Sequence, residues 1–256
     1  MRVIITGAAG VIGSQIIEEL AGSHELCLID RIPVPGHTSI VADLARTRLW
    51  TRWRPWTGFQ PPKWTTAFEN AQVVLHLAND LEHLGKEKKG LFKYIQMTWN
   101  VFEAAVYYQV PRVVFASSNW VVKALEQELA PACYRPDGPK IGSEVPPRPI
   151  NGYGLSKAFG ETAGRSLVDE GQLTSFVAMR IGAYGEVPPK GQACTRWIGI
   201  QDIRSLMRCC VEREFEGFQV IYGVSAQPES PFDLSHTSCL LSWSPKQFLS
   251  ETQLVL

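Results

Sequence analysis

The feature that most constrains this chain is Thr6-Gly7-Ala8-Ala9-Gly10-Val11-Ile12-Gly13, where glycine recurs at every third position directly after the short β-branched run Arg2 to Thr6. Val11 to Leu20 then carries apolar residues at helical spacing, so the order is strand, glycine turn, helix. Gly7 permits a tight turn, Gly10 lets backbone N–H groups approach a pyrophosphate, and Gly13 lets the helix lie close to the strand. The helix start, with Val11 and Ile12 in its first turn, would face such phosphates with its positive dipole end. Asp30 ends the next apolar run, Glu25 to Asp30, about where an acid accepts hydrogen bonds from the ribose of an adenine dinucleotide. Its charge would repel a 2′-phosphate, which favours NAD over NADP; Arg31 weakens that preference without reversing it. Asp43-Leu44 is a second candidate for the adenine side, or Asp43 simply caps a helix.

Further strands are predicted over Ala71 to Leu77, Arg112 to Ala116 and Ser175 to Arg180, and helices over Leu91 to Tyr108 and Tyr153 to Glu170. Continuous apolar strands alternating with helices imply an α/β fold: a doubly wound parallel sheet of the Rossmann type, covered by helices on both faces. At 256 residues the chain is expected to form a single NAD(P)-binding domain over 1–256, with residues from about 180 onward adding a small C-terminal substrate-binding region. Two stretches break the rhythm. Arg46 to Trp64 holds four tryptophans and three prolines and reads as a surface excursion, while Glu126 to Pro149 reads as a long loop lining or covering the site.

Lys plus Arg (25) balances Asp plus Glu (25), so no long-range field gathers nucleic acid or anionic membrane, and a small-molecule partner is expected. The six cysteines form no C-x-x-C pair, so no metal site and no disulfide framework is indicated, consistent with a reducing cytoplasm. The glycine-interrupted N-terminus argues against a signal peptide, and no apolar run approaches the roughly 20 residues needed to span a bilayer. A cytoplasmic protein is expected.

Tyr153 and Lys157 lie four residues apart in YGLSK and share a helix face. A positive neighbour favours the phenolate, making Tyr153 a general base for oxidising a hydroxyl or an acid for reducing a carbonyl. Such a pair also occurs on ordinary solvated helices. What adds weight is Phe115-Ala116-Ser117-Ser118-Asn119, a buried strand ending in small hydroxyl residues, where the open end of a parallel sheet receives ligands. Ser118 could hydrogen-bond the reacting oxygen. No G-x-S-x-G elbow surrounds it, so a serine nucleophile is not indicated, and His76 reads as a core residue on its strand.

Together TGAAGVIG, Asp30, Asp43-Leu44, LHLAN (75–79), RVVFASSN (112–119) and YGLSK (153–157) resemble the extended short-chain dehydrogenase/reductase superfamily, also called the NAD-dependent epimerase/dehydratase family. The resemblance implies catalytic roles for Ser118, Tyr153 and Lys157, with Lys157 also touching the nicotinamide ribose. It further implies cofactor contacts at Leu77, Ala78 and Ile181, and substrate contacts at Asn79, Asn119, Trp120 and Gln192 beside Ser118 and Tyr153. FASSN, YGLSKAFGE, MRIGA and VIYGVSAQ look most like uronate dehydrogenases, which oxidise the anomeric carbon of a hexuronic acid. The pattern departs at Gln192, where that group carries a carboxylate-holding arginine, at Ala183 (serine there) and at Trp120 (histidine there). Tyr94 stands where the family has asparagine ahead of a G-T pair that is Met97-Thr98 here.

The expected function is therefore an NAD-dependent oxidoreductase acting on a small sugar, sugar acid or related polyol, working as a homodimer paired through two helices that include the Tyr153 helix. An epimerase or dehydratase that returns the hydride would use the same residues. A cofactor-binding scaffold, with Trp50, Trp53 and Trp56 among arginines contacting a partner or single-stranded nucleic acid, is a third reading; a lid or oligomer contact would use the same residues.

Overall fold

The computed structural model describes residues 1–46, 62–79 and 88–248. Two compact units divide the chain: Met1–Phe115, Phe159–Phe176 and Glu216–Phe218 form the first, and Ala116–Ala158, Val177–Phe215 and Gln219 onward the second. The expected strand, turn and helix open the first unit as β1 (Arg2–Thr6) and α1 (Val11–Leu20), followed by β2 (Glu25–Asp30) and the two-residue β3 (Ile40–Val41). After them come a 3-10 turn (Lys63–Phe68), β4 (Val73–His76), α2 (Lys88–Tyr107) and β5 (Arg112–Ser118). Then follow α3 (Lys123–Leu129), α4 (Gly152–Asp169), β6 (Ser175–Ile181), the short strands β7 (Ala183–Tyr184) and β8 (Trp197–Ile198), α5 (Ile200–Glu212), β9 (Gly217–Gly223) and α6 (Ser235–Leu241).

Seven strands form one mostly parallel sheet flanked by helices, in the order β3-β2-β1-β4-β5-β6-β9, and β7 pairs with β8 separately. From β1 the chain steps outward to β2 and β3, then crosses back to β4 on the other side, so the order reverses between β1 and β4. Ile5 sits level with Leu28 and with Leu75, and Thr6 with His76, which sets the ends of β1 and β4 side by side.

Continuous apolar runs explain the central strands: all four residues of β4 and all seven of β6 are buried. In the first unit, Phe102 packs edge-on against Phe115 and Phe176 at 5.7 and 5.2 Å between ring centres. Gly160 and Gly164 face this cluster from α4, and a Cβ at either would run into the Phe115 or Phe176 ring. In the second unit, buried Arg180 donates to the Val145 carbonyl and to the Tyr222 hydroxyl, each at 3.2 Å, and Tyr222 stacks on Phe232.

Three readings from sequence change. The stretch expected as loop from Glu126 opens instead within helix α3, whose Lys123-x-x-Glu126 ion pair joins one turn to the next. Trp64, read as part of a surface excursion, is buried and meets Phe68 edge-on at 5.8 Å. Trp50, Trp53 and Trp56 lie outside the described residues. One strand of the main sheet, β9, was not anticipated: its first four residues are half-buried, so it carries no continuous apolar signal.

Candidate active site

In the first unit the glycine turn is locked by backbone. Gly7 has a φ of +74°, and a Cβ there would lie 2.5 Å from the Ala78 nitrogen. A Cβ on Gly13 would strike the carbonyl oxygens of Gly7 and Ala8, so the helix can approach the turn only with glycine at this position. Asp30 closes the turn from β2: Oδ2 accepts the Ala9 N–H at 2.9 Å and Oδ1 the Arg31 N–H at 2.6 Å.

Gly10 caps α1 with no side-chain acceptor, and the first helical bond runs from Ser14 N–H to the Gly10 carbonyl. The first-turn N–H groups of α1, at Val11, Ile12 and Gly13, therefore have no capping side chain to meet them. Val11 is 74% exposed beside them. Leu77 N–H donates to the Thr6 carbonyl and Ala78 is buried, which places the next residue, Asn79, by the same strand ends. Asn79 Oδ1 is buried without a hydrogen-bond partner among the described residues. An uncapped helix start, a carboxylate on the turn and an orphaned amide oxygen fit a pyrophosphate-bearing dinucleotide. Asp43 behaves as a local cap, with Oδ1 accepting the Ala45 N–H at 3.0 Å, and also faces Arg46 and Lys93. His76 is a core residue, as expected: buried, with Nδ1 2.7 Å from Thr6 Oγ1.

The proton-handling candidates lie in the second unit. Lys157 is buried, and its ammonium donates to the Ala116 carbonyl of β5 at 2.6 Å while standing 5.8 Å from the centre of the Tyr153 ring. Burial pushes Lys157 down to about 7. Two residues along β5 from that carbonyl, Ser118 ends the strand and its Oγ accepts the Trp120 N–H at 3.3 Å. A Cβ on Gly154 would lie 2.5 Å from the Trp120 carbonyl oxygen, so glycine beside Tyr153 lets the first turn of α4 press onto the segment leaving β5. Lys157 is thereby tied to β5 and stands by Tyr153, Ser118 meets Asn119 and Trp120, and Gly154 lies against Trp120. Ile181 is buried at the end of β6, whereas Gln192 is exposed and is tied in through its backbone, its carbonyl accepting the Thr195 hydroxyl at 2.8 Å.

Sequence reasoning missed a third group. Glu126 is fully buried on α3, and its Oε1 accepts from Lys123 at 2.7 Å, from the Tyr134 hydroxyl and from Arg196. Burial, the largest single influence, would raise its carboxyl; the bonds from Lys123 and Tyr134 and the Arg196 charge outweigh it and hold Glu126 below the usual range. Tyr134 is pushed up in turn by burial and by bonding to Glu126. The helical Lys123-x-x-Glu126 spacing was the available signal; Arg196, seventy residues away, gave none.

Residues 3–200 match the model of the NAD dependent epimerase/dehydratase family. An NAD-dependent glucose-6-phosphate dehydrogenase of Haloferax volcanii is 31% identical, with 97% of this chain and 94% of that protein aligned. An L-arabinose 1-dehydrogenase (NAD(P)(+)) of the same organism is 31% identical, with 96% of each covered. Among solved structures, a mutant uronate dehydrogenase from Agrobacterium tumefaciens complexed with NAD superposes with a TM-score of 0.75 at 27% identity, covering 96% of this chain and 84% of that one. No described helix is long and apolar enough to cross a membrane.

Proposed function

We propose, from the premise that this chain belongs to the NAD dependent epimerase/dehydratase family, that it oxidises a hydroxyl of a small sugar or sugar derivative with NAD, using Tyr153 as the proton acceptor. The observation that carries this reading is the buried Lys157 ammonium, held by the Ala116 carbonyl and poised 5.8 Å from the Tyr153 ring. Relatives bearing dehydrogenase names along nearly the whole chain support it.

Bound NAD supplies the acceptor for the hydride leaving the substrate carbon. Val11, Ile12 and Gly13 would hold its pyrophosphate through backbone N–H groups, and Asp30 would accept from its adenosine ribose. Tyr153 takes the hydroxyl proton as the carbonyl forms, and Lys157 in its charged form favours the phenolate that accepts it. Ser118 Oγ hydrogen-bonds the reacting oxygen and keeps it toward Tyr153. The proton passes on to solvent, so one hydride and one proton leave per carbonyl made. The reading extends to a cytoplasmic homodimer paired through two helices, one of them α4.

A panel of aldoses, uronic acids and polyols offered with NAD and with NADP should give NADH from at least one member. Tyr153→Phe should then lose at least ~100-fold in kcat while still binding NAD. Wild-type turnover by that variant would sink the assignment, and an isomerised product without net NADH would move the protein to the epimerases. A monomer by analytical ultracentrifugation would remove the dimer.

A further inference from the structure

The cluster around Glu126 lies wholly within the second unit, and its bonds do not balance. Three donors converge on Oε1, while Oε2 is buried with no hydrogen-bond partner among the described residues. Two cations share this one carboxylate. The charge of Glu229 is felt at Cys194, in the Arg196 segment, and at Lys140.

Most of the cationic donors are unspent. A guanidinium carries five N–H donors and an ammonium three, yet the bonds that Arg196 and Lys123 make among the described residues go to Glu126 alone. Their side chains are 16% and 13% exposed, and the Arg196 nitrogens without partners remain reachable from solvent. An ion cluster serving packing alone would spend such donors on the protein, because surplus charge that is mostly removed from water is costly.

Position ties the cluster to the chemistry. Lys123 stands over the Trp120 ring at 5.8 Å, the Trp120 N–H donates to Ser118 Oγ, and the Trp120 carbonyl abuts Gly154 beside Tyr153. Arg196 sits four residues beyond Gln192, within the 3-10 segment Gly191–Arg196.

We infer that Arg196 and Lys123, anchored on Glu126, form an anion-binding subsite for the substrate, which is therefore a sugar bearing a carboxylate or a phosphate. The inference rests on the dehydrogenase reading above and adds its substrate class. Arg196 offers a planar fork and Lys123 a point charge, a combination that accepts either anion.

One aldose, its 6-phosphate and its 6-carboxylate form a matched set for the full-length enzyme with NAD. One anionic member should exceed the neutral sugar by at least ~30-fold in kcat/KM, and which one it is separates phosphate from carboxylate. Arg196→Gln should collapse that preference by about 100-fold, chiefly through KM, with partial recovery in Arg196→Lys. A neutral sugar used as well as the anions, or an equal loss on all three in Arg196→Gln, would overturn the subsite. If no member yields NADH, the dehydrogenase reading falls. Calorimetric titration of the two anionic sugars into the NAD-loaded protein then decides the subsite by itself: saturable binding lost in Arg196→Gln supports it, and no binding overturns it. Should Arg196→Gln fail to fold, Lys123→Gln is read the same way, with a loss of about 10-fold.

Discussion

The glycine turn of the first unit and the Glu126 cluster of the second each prepare a place for charge, by opposite means. At the turn the groups available to a ligand are backbone N–H groups at Val11, Ile12 and Gly13, and glycine at 7 and 13 leaves room for the backbone to close up. In the cluster the groups are long side chains from positions 123 and 196, held at one end by a buried carboxylate. A backbone site tolerates no added atom but needs no distant partner. A side-chain site can lose a rim residue without losing the fold, and its geometry depends on its anchor.

That contrast can be broken, most severely at the turn. Gly13→Val forces a branched side chain into the Gly7 and Ala8 carbonyls. It should cost about 3 kcal/mol of stability by chemical denaturation and abolish NAD binding by calorimetry. A variant that bound NAD normally would show that the turn has more slack than its geometry allows.

At the cluster, the anchor should matter more than the rim. Glu126→Ala leaves two cations without their carboxylate and should destabilise by about 2 kcal/mol, discounted from the fully buried case because Lys123 and Arg196 reach solvent. NAD affinity should stay intact. The Glu126 carboxyl is held low, so its contribution is present above the ordinary carboxylate range and is lost as pH falls through the depressed value. Glu126→Ala should therefore weaken acid sensitivity as well.

Lys157 carries a penalty where Glu126 carries a contribution, and for both, stability rises with pH because the folded value is lowered. Its value falls from 10.5 in the open chain to about 7 when folded, so the unfolded state binds the extra proton between those limits. The penalty is complete below about 7 and fades as pH rises. Relative to Lys157→Met, the wild type should gain about 2 kcal/mol between pH 7 and pH 9 in the absence of cofactor. Parallel pH profiles for the two proteins would mean that the ammonium is not buried in solution.

The smallest effect is a control. The exposed Arg148–Glu128 pair bridges the end of α3 to the following chain, and Arg148→Ala should change stability by less than about 0.5 kcal/mol and leave activity alone. A larger loss would show the 123–148 stretch to be held more by its surface than by its buried carboxylate.

Local chemistry made the first site legible. Spacing of three between glycines, an acid at the end of the next strand and apolar strands alternating with helices all act within a few residues, so the turn, the β1-α1-β2 unit and the parallel sheet could be read in order. Tyr153 and Lys157 were legible for the same reason, being one helical turn apart. Edge strand β9 was not, because a half-buried strand carries a weak apolar pattern. Helix α3 was hidden by the prolines that follow it.

The sequence by itself determined the fold class, the glycine turn with its acid, and the placing of Tyr153 and Lys157 on one helix, since each rests on short-range sterics or on helical periodicity. Only tertiary structure decided that Lys157 is buried against the Ala116 carbonyl, that Trp64 is core, and that Arg196 meets Lys123 on Glu126. Those outcomes depend on which distant segments share a space once water is expelled, and no local spacing encodes the burial of a charge or the partner that makes it tolerable.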